Sequence, residues 1–297
     1  MLRELLSQKV LIFDGAMGTR LQKRGLPAGY PPEEWNLSHP EEVQKVHQSY
    51  VDAGADLIQT NTFGANRLRL QKYGLADKIQ TINRTAVSIA RSTLKPGMIL
   101  LASIGPLGEF LEPFGDLTPQ KAKEAFQEQV EILRAEGVAF FHLETFNFSQ
   151  EALLACEAVH EAGGQAMVSF TFDRRGDQFT TLLGETPGAL MAIFSKLPIV
   201  SLGANCGTGM KEMVAIMAEY RRHHPDFFLS AKPNAGIPQL LGETVTYTET
   251  PEDFAQGARA LLSLRVQVMG GCCGTDERYI RALKDTVTRE RMAEEKR

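Results

Sequence analysis

The sequence of 297 residues contains only four cysteines, too few for a disulfide framework. It has no run close to the ~18 consecutive apolar residues of a membrane span, and its first residues, MLRELLSQ, lack the apolar core and cleavage site of a signal peptide. Lysine and arginine number 32 against 36 aspartates and glutamates, a net charge of −4 that offers no basic surplus for nucleic acid or an anionic membrane. We therefore expect a cytoplasmic protein with a small-molecule partner.

The composition and its periodicity indicate the fold class. Apolar residues make up 43% and charged residues 23% of the chain, which excludes a disordered, collagenous or coiled-coil protein. Eight short apolar runs, each followed by a helical pattern, lie at 10–16, 56–63, 99–106, 140–146, 166–172, 199–206, 227–236 and 266–273. Eight strand–helix units predict an α/β fold, a single-domain (β/α)8 TIM barrel over 1–297, with a doubly wound open sheet as the alternative.

Helix starts and the end of the chain add local expectations. A threonine before a proline, a pairing that caps a helix and begins its first turn, occurs at Thr118-Pro119, Thr186-Pro187 and Thr250-Pro251. The pair Ser38 and Glu41 predicts a capping box. The strongly charged segment 286–297 is expected to be a C-terminal tail or the start of a linker.

Reactive side chains follow the predicted strands at their C-terminal ends, the edge at which barrel enzymes carry their active sites. They are Asp14, Glu144, Cys206, Asn234, Cys272 and Cys273. Because strands six and eight flank strand seven in a closed barrel, we expect Cys206 to meet the vicinal pair 272–273. Adjacent residues of a regular strand point to opposite faces, and the glycines in LGANCGTG and GGCCGT supply the distorted backbone that convergence requires.

The cysteines predict a metal site. Three thiolates suit Zn²⁺, whose catalytic sites have three protein ligands and an open fourth position, so Cys206, Cys272 and Cys273 are the predicted zinc ligands. Cys156 lies on a helical stripe and is predicted to be a packing residue. The alternatives are a vicinal disulfide at 272–273 and a metal-free cysteine nucleophile activated by a histidine, of which His142 is the one in a predicted strand.

Two carboxylates share the predicted rim with the cysteines. Asp14 or Glu144 alone could be the salt-bridge partner of a neighbouring base. Together they can hold an ammonium group, and backbone N–H groups of the DGAMGT turn can receive a carboxylate. An α-amino acid carries both groups, which predicts an amino-acid substrate. The segment 233–236 places the amide of Asn234 beside the cysteines, either as part of the site or as a structural turn.

Six motifs occur in order over nearly the whole chain: DGAMGT, GADLIQTNTFGAN, LETF, GANC, KPNAG and GGCCGT. In this combination the sequence resembles the homocysteine S-methyltransferase family, and within it the branch of cobalamin-dependent methionine synthases, whose N-terminal module binds homocysteine. The GGCCGT motif with an upstream Asn-Cys pair is the specific part of the resemblance. DGAMGT alone is a weak signal.

The resemblance implies a function and a set of residue roles. It implies a (β/α)8 barrel with zinc held by the three cysteines, in which the homocysteine thiol receives a methyl group and becomes methionine. Asn234 would occupy the fourth zinc position when substrate is absent. The homocysteine amino group would be bound by Asp14 and Glu144, and its carboxylate by the backbone of Gly15, Ala16, Met17, Gly18 and Thr19.

The methyl donor is the least constrained part of this interpretation. The betaine-using branch has a tyrosine where Gly64 stands here, which disfavours betaine. The sequence lacks a Rossmann fingerprint, a P-loop and an Asp-x-His-x-x-Gly segment, so we expect methylcobalamin bound elsewhere, on adjacent cobalamin and folate modules. The alternatives are a stand-alone enzyme that uses S-methylmethionine and a non-catalytic homocysteine-binding domain with structural zinc.

Overall fold

Eight parallel strands form the centre of the fold in the computed structural model, which describes residues 2–241 and 244–294. The strands are β1 Leu11–Ile12, β2 Leu57–Gln59, β3 Ile99–Ile104, β4 Phe140–Phe146, β5 Gln165–Phe170, β6 Ser201–Asn205, β7 Leu229–Lys232 and β8 Val268–Met269. Their order around the sheet is β1-β8-β7-β6-β5-β4-β3-β2, and a bridge between Phe13 and Leu57 joins the two outer strands, β1 and β2. The sheet therefore closes, which confirms the predicted (β/α)8 TIM barrel and excludes an open sheet.

A helix follows each strand and packs on the outside of the barrel. The helices are α1 Leu2–Gln8, α2 Gly18–Gln22, α3 Trp35–Ser38, α4 Pro40–Ala53, α5 Arg67–Gln71, α6 Ile79–Thr93, α7 Pro119–Ala135, α8 Ser149–Glu161, α9 Pro187–Phe194, α10 Met210–His223, α11 Pro251–Ser263 and α12 Glu277–Glu294, with 3₁₀ turns at Pro32–Glu34 and Ala76–Lys78. The eight helices that cover the barrel are α4 and α6 to α12, and the shorter helices α2, α3 and α5 lie in the loops after β1 and β2.

The helix starts test the capping predictions. Thr118, Thr186 and Thr250 each accept a hydrogen bond from the backbone N–H three residues later, as predicted. The capping box predicted at Ser38 is wrong: helix α4 begins after His39, and the Ser38 hydroxyl instead contacts the Glu34 carboxylate and the His39 ring. Pro40 explains the difference, because a proline at the first helical position moves the cap to the residue before it.

One end of the barrel is closed by apolar side chains. Helix α1 buries Leu2 and Leu6 in a cluster with Leu11, Leu57 and Val268 from the first positions of three strands. The α1 helix thus covers the N-terminal ends of the strands. The opposite end carries the longer loops, including two small antiparallel hairpins, Asp173–Arg175 with Gln178–Thr180 and Gln239–Leu241 with Thr244–Thr246. Access to the barrel interior is therefore from the C-terminal ends of the strands.

The charged end of the chain is partly described. Residues 286–294 of the segment predicted as a tail or linker lie in helix α12, where Thr286 is buried, and residues 295–297 lie outside the described residues. No helix among the described residues is both long and apolar enough to cross a membrane.

The capping geometry predicts unequal effects of two similar substitutions. Thr250→Ala removes the capping box that Thr250 forms with Asp253, so we expect it to lower the free energy of unfolding by about 1 kcal/mol. Ser38→Ala is the matched control, because Ser38 is exposed and caps no helix, and it should cost under about 0.5 kcal/mol. Urea unfolding followed by circular dichroism measures both. Equal losses would contradict the assignment of the two caps.

Candidate functional site

A cavity of about 480 Å³ opens at the C-terminal ends of the strands. Most of the residues predicted from the sequence line it: Asp14, Gly15, Ala16, Met17, Gly18, Thr19, Glu144, Cys206, Cys272 and Cys273. Asn234 is the exception, since it is buried and does not line the cavity. The structure thus brings the predicted site residues from four different strand ends into one place.

Three cysteines form a cluster at the floor of the cavity. The Sγ atoms of Cys206, Cys272 and Cys273 all lie within 4.8 Å of one another, and Cys206 Sγ is 3.8 Å from Cys273 Sγ. All three are free thiols and partly buried, so the structure does not contain the vicinal disulfide considered above. Cys156 is also free, but it is buried in the apolar core under α8, as expected of a packing residue.

The backbone around the cysteines is bent as their convergence requires. Cys206 has φ = 58°, in the left-handed region that non-glycine residues rarely occupy, and Gly207 continues with φ = 68°. Gly274, directly after the vicinal pair, has φ = 83°. Strain of this kind persists where the surroundings fix the backbone, and it concentrates at functional sites.

The segment at the end of β7 fixes this backbone, because it forms hydrogen bonds with the loop that carries Cys206 and with the loop that carries Cys272 and Cys273. On one side the Cys206 N–H donates to the Lys232 carbonyl at 3.1 Å. On the other side the Cys272 N–H donates to the Pro233 carbonyl at 2.8 Å, and the Ala235 N–H donates to the Cys273 carbonyl at 3.0 Å. The KPNAG motif is therefore the structural turn that holds the two cysteine loops in register.

The three sulfurs cannot easily be ionised together. Hydrogen bonds from the thiols of Cys272 and Cys273 hold the pKa of Cys206 well below its ordinary value. Donation of the thiol proton to Cys206 raises the pKa of Cys272 to about 12, and similar contacts raise the pKa of Cys273 well above its ordinary value. Negative charges this close repel one another, so full ionisation of the cluster requires a cation among the sulfurs.

Asn234 is a polar neighbour of the cysteine cluster. Its side-chain N–H donates to the Cys206 sulfur, and its Oδ1 is buried without a hydrogen-bond partner in the described part of the chain. A buried, unpartnered amide oxygen is costly unless something binds it. Three thiolates with a fourth position open to another donor are a set that zinc accepts, so the three cysteines fit the metal predicted from the sequence.

A buried lysine, Lys232, pairs with one of the two predicted substrate carboxylates. Lys232 Nζ lies 3.2 Å from Asp14 Oδ1, contacts Gln59 Oε1, and sits 4.5 Å from the centroid of the Phe13 ring. Burial alone would lower the pKa of Lys232, but Asp14, Glu144 and Cys272 outweigh it and the pKa is raised, so the side chain is a cation. Burial raises the pKa of Asp14 to about 6 despite this neighbour.

Glu144 is held by a separate set of donors. Its Oε1 accepts from Gln59 Nε2 at 2.8 Å and from the Ser103 hydroxyl. Its Oε2 lies 3.5 Å from Asn205 Nδ2 and 3.7 Å from the Nδ1 atom of the buried His142. These partners come from β2, β3, β4 and β6, so the barrel itself fixes the orientation of the carboxylate.

Asn205 also shapes the backbone after Glu144. Its Oδ1 accepts from the Thr145 N–H at 2.8 Å and its Nδ2 donates to the Thr145 hydroxyl at 2.7 Å. Thr145 has φ = 63°, and the β4–β5 register shifts between Leu143 and Phe146. The same Nδ2 lies 3.9 Å from Cys272 Sγ, so Asn205 connects the carboxylate to the cysteine cluster.

The DGAMGT segment packs tightly against the loop after β8. A Cβ on Gly15 would come within 2.9 Å of Tyr50 and Thr275, which explains the glycine there. The Ala16 N–H donates to the Thr275 hydroxyl at 3.2 Å, and the Thr19 hydroxyl accepts from the Gly274 N–H at 3.1 Å. One of the amides expected to receive a substrate carboxylate is therefore already engaged within the protein.

Sequence reasoning missed three residues that organise the site: Gln59, Asn205 and Lys232. Each is a polar side chain at the end of an otherwise apolar strand, as Asp14 and Glu144 are. A lysine closing the apolar run FFLSAK was a usable signal, because a lysine is almost never fully buried without a partner. Its partner could be found only from the tertiary structure.

Fold and site together define a (β/α)8 barrel in which three cysteines that could hold a metal ion share a cavity with two carboxylates. A profile described as homocysteine S-methyltransferase matches residues 11–287, and the chain belongs to this family of enzymes. It is 32% identical to a methionine synthase of Mycobacterium leprae over 97% of the chain, and it spans 25% of that relative's length. It is 29% identical to betaine–homocysteine S-methyltransferase 1 of Bos taurus, over 98% of the chain and 75% of that relative.

A solved structure shares the fold. The metallated form of the homocysteine methyltransferase MmuM from Escherichia coli superimposes with a TM-score of 0.80, at 22% identity, over 96% of this chain and 99% of the other.

The cluster predicts which cysteines are needed to retain metal. We expect about one zinc ion per chain in the parent protein and in Cys156→Ala, because Cys156 lies in the core away from the cluster. Cys206→Ser should lower zinc affinity by at least about tenfold, since it removes one of the thiolates. Elemental analysis after dialysis against a chelator measures both. Undiminished zinc in Cys206→Ser, with methyl transfer at the parent rate, would contradict the assignment.

Proposed function

We propose that this chain catalyses zinc-dependent transfer of a methyl group to the thiol of homocysteine, which gives methionine. The observation that carries the proposal is the three-cysteine cluster at the floor of a cavity that also holds two carboxylates. Zinc bound by Cys206, Cys272 and Cys273 would coordinate the substrate sulfur and keep it deprotonated at neutral pH. Membership of the homocysteine S-methyltransferase family supports the substrate and the reaction class.

The residues of the chain hold the amino acid against the metal centre. The carboxylates of Asp14 and Glu144 make the floor negative, which favours the ammonium group of homocysteine. The segment Gly15–Thr19 lines the same cavity and is the proposed site for the substrate carboxylate, through backbone N–H groups other than that of Ala16. Binding at both the ammonium and the carboxylate group would fix the orientation of the homocysteine side chain, so that its thiol reaches the cysteine cluster.

Asn234 is proposed to exchange with the substrate. Its side-chain amide contacts Cys206 and its Oδ1 has no partner among the described residues, so Oδ1 would occupy the fourth metal position until the homocysteine sulfur replaces it. In the transfer itself the sulfur supplies the electron pair of the new S–CH₃ bond, and the donor leaves with the pair of the broken bond. The thiol proton goes to solvent when the substrate binds, so the chain needs no general base during transfer.

The donor is proposed to be methylcobalamin carried on another protein module. Nine large apolar side chains are strongly exposed among the described residues, and seven of them stand in loops at the cavity end of the barrel: Tyr30, Tyr73, Phe110, Phe114, Leu182, Ile237 and Val245. Apolar surface gathered around a cavity mouth is typical of a contact with another macromolecule. The length of the matched methionine synthase, of which this chain spans a quarter, leaves room for such modules.

A donor assay tests the proposal directly. Zinc-loaded protein and homocysteine are incubated with methylcobalamin, methyltetrahydrofolate or S-methylmethionine, and methionine is measured by mass spectrometry. We expect methionine from methylcobalamin. Activity with S-methylmethionine alone would overturn the proposed donor. Binding of homocysteine with no transfer from any donor would instead indicate a non-catalytic domain with structural zinc.

A further inference from the structure

The segment of residues 247–249 packs against all three loops that surround the cysteine cluster. It lies between the second hairpin, Gln239–Leu241 with Thr244–Thr246, and helix α11. Each of the three loops contributes one glycine to the contact, and a Cβ on any of them would come within 2.9 Å of the segment. These glycines are Gly209 after β6, Gly236 after β7 and Gly274 after β8. The three loops are therefore shaped to hold this segment.

Hydrogen bonds from three sides fix the segment 247–249. The Glu249 carboxylate accepts from the Met210 N–H at 2.9 Å, at the start of the helix that follows the Cys206 loop. The Glu249 N–H donates to the Ala235 carbonyl at 2.9 Å. The Tyr279 hydroxyl, from helix α12, donates to the Glu249 carbonyl at 2.7 Å. The position of the segment is thus set by elements that follow β6, β7 and β8.

Tyr247 brings a hydroxyl group to the cysteine cluster. Its ring lies over Gly274, the residue after Cys273, where a Cβ would collide with the ring. Its hydroxyl hydrogen-bonds to the Cys273 sulfur, and the side chain is partly buried against the hydrophobic core. A metal-bound thiolate has no proton to give, so the Tyr247 hydroxyl is the donor when the sulfur is ionised.

The other two sulfurs also have polar side chains as neighbours. The side-chain amide of Asn234 donates to Cys206. Asn205 Nδ2 lies 3.9 Å from Cys272 Sγ. A hydrogen bond to a thiolate stabilises its charge, and the nucleophilicity of a thiolate falls as the pKa of its thiol falls. A thiolate of the cluster with such a donor is therefore a weaker nucleophile than a thiolate without one.

We infer that Tyr247 is a positioning residue that protects the Cys273 thiolate from methylation, so that the methyl group goes to the substrate sulfur. This inference rests on the proposed function and refines it. If the Cys273 sulfur attacked the methyl carbon, an S–CH₃ bond would form and the donor would leave with the electron pair of the broken bond. The product, S-methylcysteine, is a neutral thioether and a weaker zinc ligand than a thiolate. Zinc binding would then be impaired, which is why a site that receives a methyl donor needs this selectivity.

Chemical methylation of the cysteines tests the inference. The zinc-loaded parent, Tyr247→Phe and Tyr279→Phe are treated with limiting iodomethane in the absence of homocysteine. A cysteine sulfur takes the methyl group, and iodide leaves with the electron pair of the C–I bond. Mass spectrometry of the peptides at low conversion gives the ratio of Cys273 to Cys206 methylation within one chain. A general loosening of the fold would expose both cysteines, whereas loss of the hydrogen bond acts on Cys273.

We expect Tyr247→Phe to raise the ratio of Cys273 to Cys206 methylation by at least about threefold, because it removes a hydrogen bond to a charged sulfur. The phenylalanine ring can still cover Gly274, so the loop keeps its packing. An unchanged ratio in a variant that retains zinc would overturn the inference.

The matched control is Tyr279→Phe, which removes a hydroxyl from the same segment but not from the sulfur. Its ratio should equal that of the parent. A rise as large as that of Tyr247→Phe would overturn the inference, because the effect would then come from a loosened segment. A parent protein that retains no zinc would overturn the proposed function and the inference with it, and elemental analysis shows this before any variant is compared.

Discussion

The mutual repulsion of three neighbouring sulfur atoms is the constraint on which the rest of the site depends. Cys206, Cys272 and Cys273 lie within 4.8 Å of one another, and as thiolates they would place three negative charges in that space. Such an arrangement is stable with protons shared among the sulfurs or with a cation bound to them. The left-handed backbone at Cys206 and the hydrogen bonds of the β7 loop hold the sulfurs together against this repulsion.

The barrel separates the parts of the molecule that give stability from those that give chemistry. Helix α1 and the apolar cluster at the N-terminal ends of the strands close one end, and in the described part of the chain the cavity opens at the other. There each polar side chain comes from a different strand and is oriented by partners on its neighbours, as Asn205 orients Thr145 and Gln59 contacts both Glu144 and Lys232. Side chains on strand ends are held more rigidly than side chains on free loops, which suits a site that must align two reacting groups.

Much of this could be predicted from the sequence. The eight strands, their closure and the meeting of the three cysteines follow from the alternating pattern and from the rule that barrel sites lie at C-terminal strand ends. Side-chain pairing could not be predicted, because Lys232 and Asp14 are 218 positions apart and meet only through closure of the barrel. The local error at Ser38 has a similar origin: a short motif predicted a cap, and the neighbouring proline decided where helix α4 begins.

The central claim is that the homocysteine sulfur joins the three cysteines at a metal ion. X-ray absorption at the zinc K edge, recorded on the zinc-loaded protein with and without homocysteine, tests it most directly. The account predicts three sulfur neighbours and one oxygen or nitrogen neighbour without substrate, and four sulfur neighbours with it. A first shell that stays the same when saturating homocysteine is added would contradict the account.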